Sequence, residues 1–181
     1  MSEMQRGKFP WPTHGGHDFY EVLSALQKSI RRGLLDDALF WGTELYLSDY
    51  ADHAWNRLLI IASEDVGQAA PQICVQIKTL FDLYKLNKKS GESRLFFVHA
   101  VMALVQAPKS RLADHATIVF FEGPREHREI PDCALDVHTT RGRTLGRGYE
   151  HFFEEGALLN SRANLEDPYE EIAKTIRHNK K

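Results

Sequence analysis

The sequence predicts an all-α protein: a compact bundle of five or six helices with an irregular C-terminal extension. Apolar residues recur at three- and four-residue steps through the first two-thirds, and helix-capping and helix-stopping residues bracket those stretches. The one β-prone run, Thr117 to Phe121, has no second strand-like run to pair with. With 181 residues, 43% hydrophobic and 27% charged, the chain has the length and composition for one sizeable core, and a disordered or low-complexity polymer is excluded.

The first helix is expected from Asp18, an N-cap with Glu21 three residues on, and Phe19, Val22, Leu23, Leu26 and Ile30 line its buried face until Gly33 stops it. A second runs from Asp36 to about Leu47. There Ala38, Trp41 and Leu45 share a face, with Leu35, Leu39, Gly42 and Tyr46 alongside, so the pair forms a helical hairpin. After the polar turn 48–52, Trp55, Leu58, Leu59 and Ala62 mark a third helix that ends at Gly67. Trp41 and Trp55 read as core anchors.

Pro71 suits the first turn of a fourth helix, whose Ile73, Ile77, Leu80, Phe81 and Tyr84 face inward. Cys74 falls within that pattern and reads as a small core hydrophobe. Beyond the polar loop 87–91, the stretch from Ser93 to Gln106 is apolar on nearly every side, which predicts a central helix surrounded by the others. Pro108 opens a sixth, with Leu112, Ala116, Val119 and Phe120 expected inward.

Regular structure is expected to thin from Glu122. Gly123, Pro124 and the charged stretch 125–129 read as a loop, and Pro131 to Val137 as a turn of helix at most. Arg141 to Gly148 reads as a flexible basic loop, followed by a helix from Tyr149 to Leu158 and a short surface helix from Tyr169 to Arg177. The expected boundaries are an N-terminal arm at 1–16, a helical domain at 17–121, a basic loop and helix packed on it at 122–160, and a polar tail at 161–181.

Charge narrows the function. The 23 basic and 25 acidic side chains leave a formal charge of −2, so the molecule is no polycation, and any contact with nucleic acid must come from a local patch. The best such patch is Arg141, Arg143 and Arg147 among three glycines, because glycines admit close backbone approach and arginine forks match phosphate oxygens. Lys109 and Arg111 extend the patch if the fold brings them near. The competing account is a solvated loop, or a subunit contact satisfied by Glu154 and Glu155.

No catalytic residue, metal or cofactor is expected. The histidines of His14-Gly15-Gly16-His17, and Asp136, His138 and His151, lack a local ligand pair such as H-E-x-x-H, and no G-x-S-x-G elbow presents a serine. His17-Asp18 and Asp114-His115 keep a helical metal-dependent phosphohydrolase as the rival reading. Glu150, Glu154 and Glu155 read as a solvated helical face. Trp11, in a proline-flanked arm, suits docking on a partner, which keeps a protein-binding adaptor as a third reading.

The N-terminus has no apolar stretch of signal-peptide length. The longest apolar run, Leu95 to Val105, is broken by His99 and falls short of the roughly 20 residues that span a bilayer. Cys74 and Cys133 stand far apart and outside any CxxC pair, which fits a reducing cytoplasm.

Four blocks occur in order: 19–31 (FYEVLSALQKSIR), 37–41 (DALFW), 61–67 (IASEDVG) and 107–110 (APKS). Together they resemble the C-terminal part of the RarA/MgsA family of AAA+ ATPases, with Leu145-Gly146 and Gly148-Tyr149 extending the likeness more weakly. The resemblance implies an all-helical domain of the clamp-loader-collar type that holds protomers together, often as tetramers, in proteins acting at stalled or single-stranded replication intermediates. The sequence has no G-x-x-x-x-G-K-[ST] phosphate loop. The run from Leu58 to Asp65, which imitates the acidic end of a Walker B strand, therefore reads as a helix end. The expectation is a non-enzymatic oligomerisation and DNA-associated module whose partners are further copies of itself, DNA or replication proteins.

Overall fold

The computed structural model describes residues 12–179; Trp11 and the arm before it lie outside the described residues. Helices account for all the regular structure among them, and the chain divides at Pro124 into two compact units.

In the first unit, α1 (Phe19–Arg32) begins where expected. The Asp18 carboxylate accepts from the N–H groups of Tyr20 and Glu21, and Gly33 closes the helix at φ 73°, a left-handed conformation that glycine adopts without cost. Helix α2 (Leu35–Leu47) packs against α1, and α3 (Ala51–Ile61) widens into a π-helical turn, Ala62–Val66. Helix α4 (Ile73–Leu86) precedes α5 (Ser93–Gln106), which touches α1, α2, α3 and α4 and so occupies the central place its composition predicts. The core is aromatic at its centre. Trp55 is fully buried, with the rings of Tyr84 and Phe97 5.2 Å and 5.5 Å away. Gly42 admits this packing, since a Cβ there would lie 3.0 Å from the Phe97 ring.

Three expectations fail here. Trp41 is only partly buried and lies against the edge of the core, with the His17 ring edge-on at 5.5 Å. Cys74 is exposed, because it follows Ile73, the residue that α4 turns inward. The largest departure is α6 (Leu112–Thr117), which continues as a π-helical turn, Ile118–Glu122. Leu112, Val119 and Phe120 point into solvent and Ala116 is only partly buried. Four consecutive apolar residues, 118–121, cannot all share one helical face, and the partly buried residues of α6 are Ala113, Asp114 and Ala116.

The second unit is smaller. A 3₁₀ turn, Asp132–Ala134, precedes α7 (Thr140–Thr144); α8 (Tyr149–His151) widens into a π-helical turn, Phe152–Gly156; and α9 is Glu170–His178. The first half of the segment expected as a flexible basic loop, residues 141–144, is helical. Thr139 caps α7 by accepting from the Gly142 N–H at 3.0 Å, and Gly146 turns the chain at φ 75°. Gly142 is buried so closely that a Cβ would sit 2.0 Å from the Asp136 carbonyl oxygen. Its absent side chain therefore serves packing.

Candidate functional site

The five basic residues singled out by sequence fall in both units. Lys109 and Arg111 stand in the first, and Arg141, Arg143 and Arg147 in the second.

Lys109 follows the end of α5, where the last carbonyls lack helical partners. Its ammonium donates to the carbonyls of Leu104 at 2.8 Å, Val105 at 2.9 Å and also Ala107, and burial lowers its pKa. The next residue, Ser110, donates its N–H to the Asp65 carbonyl at 2.9 Å, and its hydroxyl accepts from the Leu112 N–H at the start of α6. Arg111 pairs with Asp114 and lies 3.8 Å from Glu64. The stretch 109–111 is a polar junction that ties α6 to the end of α5 and to the π-helical turn after α3.

Behind this junction lies a charged network that sequence reasoning passed over. Asp65 is fully buried; it accepts from Gln27 at 3.0 Å and from the Arg31 guanidinium, which also reaches Glu64 at 3.0 Å. Arg57 donates to the Gln27 side-chain oxygen at 3.1 Å. The hydrogen bond and charge of Asp65 raise the pKa of Arg31, so the guanidinium stays protonated. Glu64-Asp65, the imitation of a Walker B end, is thus a structural anchor joining α1 to the turn. Its one visible signal was a pair of acids closing an apolar helix; the partners 34 residues away in Arg31 leave no local trace.

Of the three loop arginines, two turn back onto their own unit. Arg147 donates to the carbonyls of Asp132 at 3.1 Å and Leu135 at 2.9 Å and pairs with the Asp132 carboxylate. Arg143 donates to the Val137 carbonyl at 3.0 Å and to the Thr140 hydroxyl at 3.3 Å. Arg141 is exposed, and its guanidinium has no hydrogen-bond or ion-pair partner among the described residues. The acid that answers Arg147 is Asp132, not Glu154 or Glu155.

The histidines stay apart. His17 lies against Trp41, His115 is exposed, Asp114 holds Arg111, and the Asp136 carboxylate accepts from the His138 N–H at 2.9 Å. Among the described residues no three His, Cys, Asp or Glu side chains are grouped to hold a metal ion. No described helix is long and apolar enough to cross a membrane.

Three residues expected to face inward, Leu112, Val119 and Phe120, belong with Ile118 and Phe121 to the exposed apolar residues of the first unit. Leu112 is 62% exposed, Val119 62%, Phe120 66% and Phe121 86%, with Ile118 beside them. Single exposed apolar residues are common on protein surfaces, whereas four in succession, Ile118 to Phe121, are not.

A model of the MgsA AAA+ ATPase C terminal family matches residues 35–171. Replication-associated recombination protein A of Bacillus subtilis is 32% identical over 149 residues, covering 78% of this chain and 35% of the relative. The Escherichia coli K12 protein of the same name is 32% identical over 150 residues, 75% of this chain and 31% of the relative. The chain thus spans about a third of the length of the curated relatives it matches. An all-helical fold with a family match over most of its length gives one assignment: the chain belongs to the MgsA AAA+ ATPase C-terminal family.

Proposed function

We propose that this chain is a non-enzymatic assembly module of the replication and repair family, and that it self-associates through the apolar strip 112–121. The exposure of that strip carries the reading. A segment tied to its unit by the Ser110 N–H on the Asp65 carbonyl and by Arg111 beside Glu64, while holding two phenylalanines in water, is built to be covered from outside. The sequence offers no phosphate loop with which to hold a nucleotide, and its two cysteines outside any CxxC pair fit the cytoplasmic setting expected for replication and repair. Light scattering at tens of micromolar tests the reading: a multiple of the 20.8 kDa chain mass is expected, and the double variant Phe120→Ser/Phe121→Ser should return the monomer. A wild-type monomer across that range overturns it.

A contact with DNA is supported by Arg141, the loop arginine whose guanidinium has no partner among the described residues. Arg143 and Arg147 can join it only by releasing groups they already hold, and in the first unit Arg111 and Lys109 are likewise already engaged. Binding to single-stranded or forked DNA should weaken with salt, and the salt slope should fall by about 1 for each phosphate contact removed. Arg141→Ala should account for most of the loss in the Arg141, Arg143 and Arg147 triple-alanine variant. Unchanged binding in the triple variant removes the loop from the account.

A further inference from the structure

Among the described residues His14-Gly15-Gly16-His17 joins no cluster of metal ligands, yet the segment is tied down closely. The turn first closes on itself. The Thr13 N–H donates to the His17 carbonyl at 2.9 Å, the Gly16 N–H to the Thr13 carbonyl at 2.8 Å, and the His17 N–H to the Thr13 hydroxyl at 3.1 Å. It is then fastened to one face of α2 and its cap, where Trp41, Glu44 and Ser48 follow at steps of three and four residues. The His14 N–H donates to the Ser48 hydroxyl at 2.8 Å and the Gly15 N–H to Glu44 Oε1 at 2.5 Å, while the Thr13 hydroxyl also donates to the Glu44 carboxylate. The His17 ring meets Trp41 edge-on. Thr13 and Glu44 are both buried, although residues 14–17 are exposed. Both glycines serve this fit: Gly16 has φ 83°, and a Cβ at Gly15 would stand 3.0 Å from Glu44 Oε1 and 3.2 Å from the His17 ring.

We infer that residues 13–17 are a clasp, a local device that is closed in this structure and opens as one unit by letting go of Glu44 and Ser48, with α1 to α5 left in place. Among the described residues the backbone hydrogen bonds of 13–17 stay within the turn, so its hydrogen bonds to the rest of the unit run through the side chains of Glu44 and Ser48. Letting go of two side chains breaks no helix. Adjacent glycines regain more backbone freedom on release than other residues do, which draws the clasp toward the low-stability end of the fold. Closure fixes the line along which the chain enters α1 at its Asp18 cap; opening frees that line and bares the Glu44 carboxylate. The device works within a single copy, so it stands or falls apart from self-association.

Native-state amide hydrogen exchange of the full chain tests the clasp. In wild type the amides of His14, Gly15, Gly16 and His17 should share one level of protection, about 100-fold or more below that of Leu26 and Ile30 in the core of α1. Ser48→Ala removes the acceptor of the His14 N–H, and Glu44→Ala that of the Gly15 N–H. Each change should speed all four amides by about 10-fold or more relative to Leu26 and Ile30, which report any change in global stability. Gly16 and His17 are the diagnostic pair, because their own acceptors lie on Thr13 and survive both substitutions. A speed-up confined to the amide that lost its acceptor, or no speed-up in either variant, overturns the clasp. So does a wild type in which these four amides are as protected as Leu26 and Ile30.

Discussion

Asp65 shows how much one side chain organises. Its carboxylate is fully enclosed and takes hydrogen bonds from Gln27 and Arg31, while its backbone carbonyl receives Ser110. Removing one partner of a buried ion pair leaves the other charge uncompensated, at a cost of 3–5 kcal/mol for a fully enclosed pair. Arg31 keeps 29% of its side chain exposed, so water offsets part of that penalty. Asp65→Ala should therefore lower stability by about 3 kcal/mol in urea denaturation, while Glu64→Ala, whose side chain is 25% exposed, should cost less. Glu44 supplies a pH dependence. The Thr13 hydroxyl and the Gly15 N–H hold its carboxyl below the ordinary 4.5. A carboxylate with a depressed folded-state pKa adds stability that is complete above the unfolded value and is lost as pH falls through the folded one. The advantage of wild type over Glu44→Gln in thermal melts should be constant above the ordinary 4.5 and should shrink as the pH falls below it.

Elements carry their information unevenly. The bounds of α1 were legible because a capping aspartate, a stopping glycine and sustained apolar periodicity all act within a few residues, and those of α5 because a long apolar run lies between a polar loop and Pro108. The docking of α6 was not, since its periodicity gives no sign that the chain is tied down just before it, by Ser110 on the Asp65 carbonyl and Arg111 beside Glu64. Three glycines among three arginines resembled an anion cradle, yet the glycine at 142 is there because a carbonyl stands where its side chain would be. Alanine usually stabilises a helical glycine position by nearly 1 kcal/mol. At Gly142 the sign should reverse: Gly142→Ala should cost about 2 kcal/mol or more through overpacking. Faster amide exchange across 132–156, with α1 to α5 unchanged, would register it.

At the scale of the whole molecule, the division at Pro124 is the main fact. Residues 125–131 are exposed and lack regular structure, and Arg125 and Arg128 lie within them. Exposed irregular segments are cut before helices are. Brief trypsin treatment should therefore cleave at Arg125 or Arg128 first and leave a resistant fragment containing α1 to α6; first cleavage inside α1 to α5 would contradict the division. The sequence boundary at 121–122 came from a shift in composition, which marks where a core ends but carries no trace of the arginine contacts inside the second unit.

The two phenylalanines held in water also have a cellular consequence. Chaperones and proteases recognise unfolded chains by solvent-exposed aromatic residues, and a copy that meets no companion displays that signature while fully folded. Solitary chains would then be cleared faster than assembled ones, and the abundance of this protein would follow the supply of whatever shields Phe120 and Phe121.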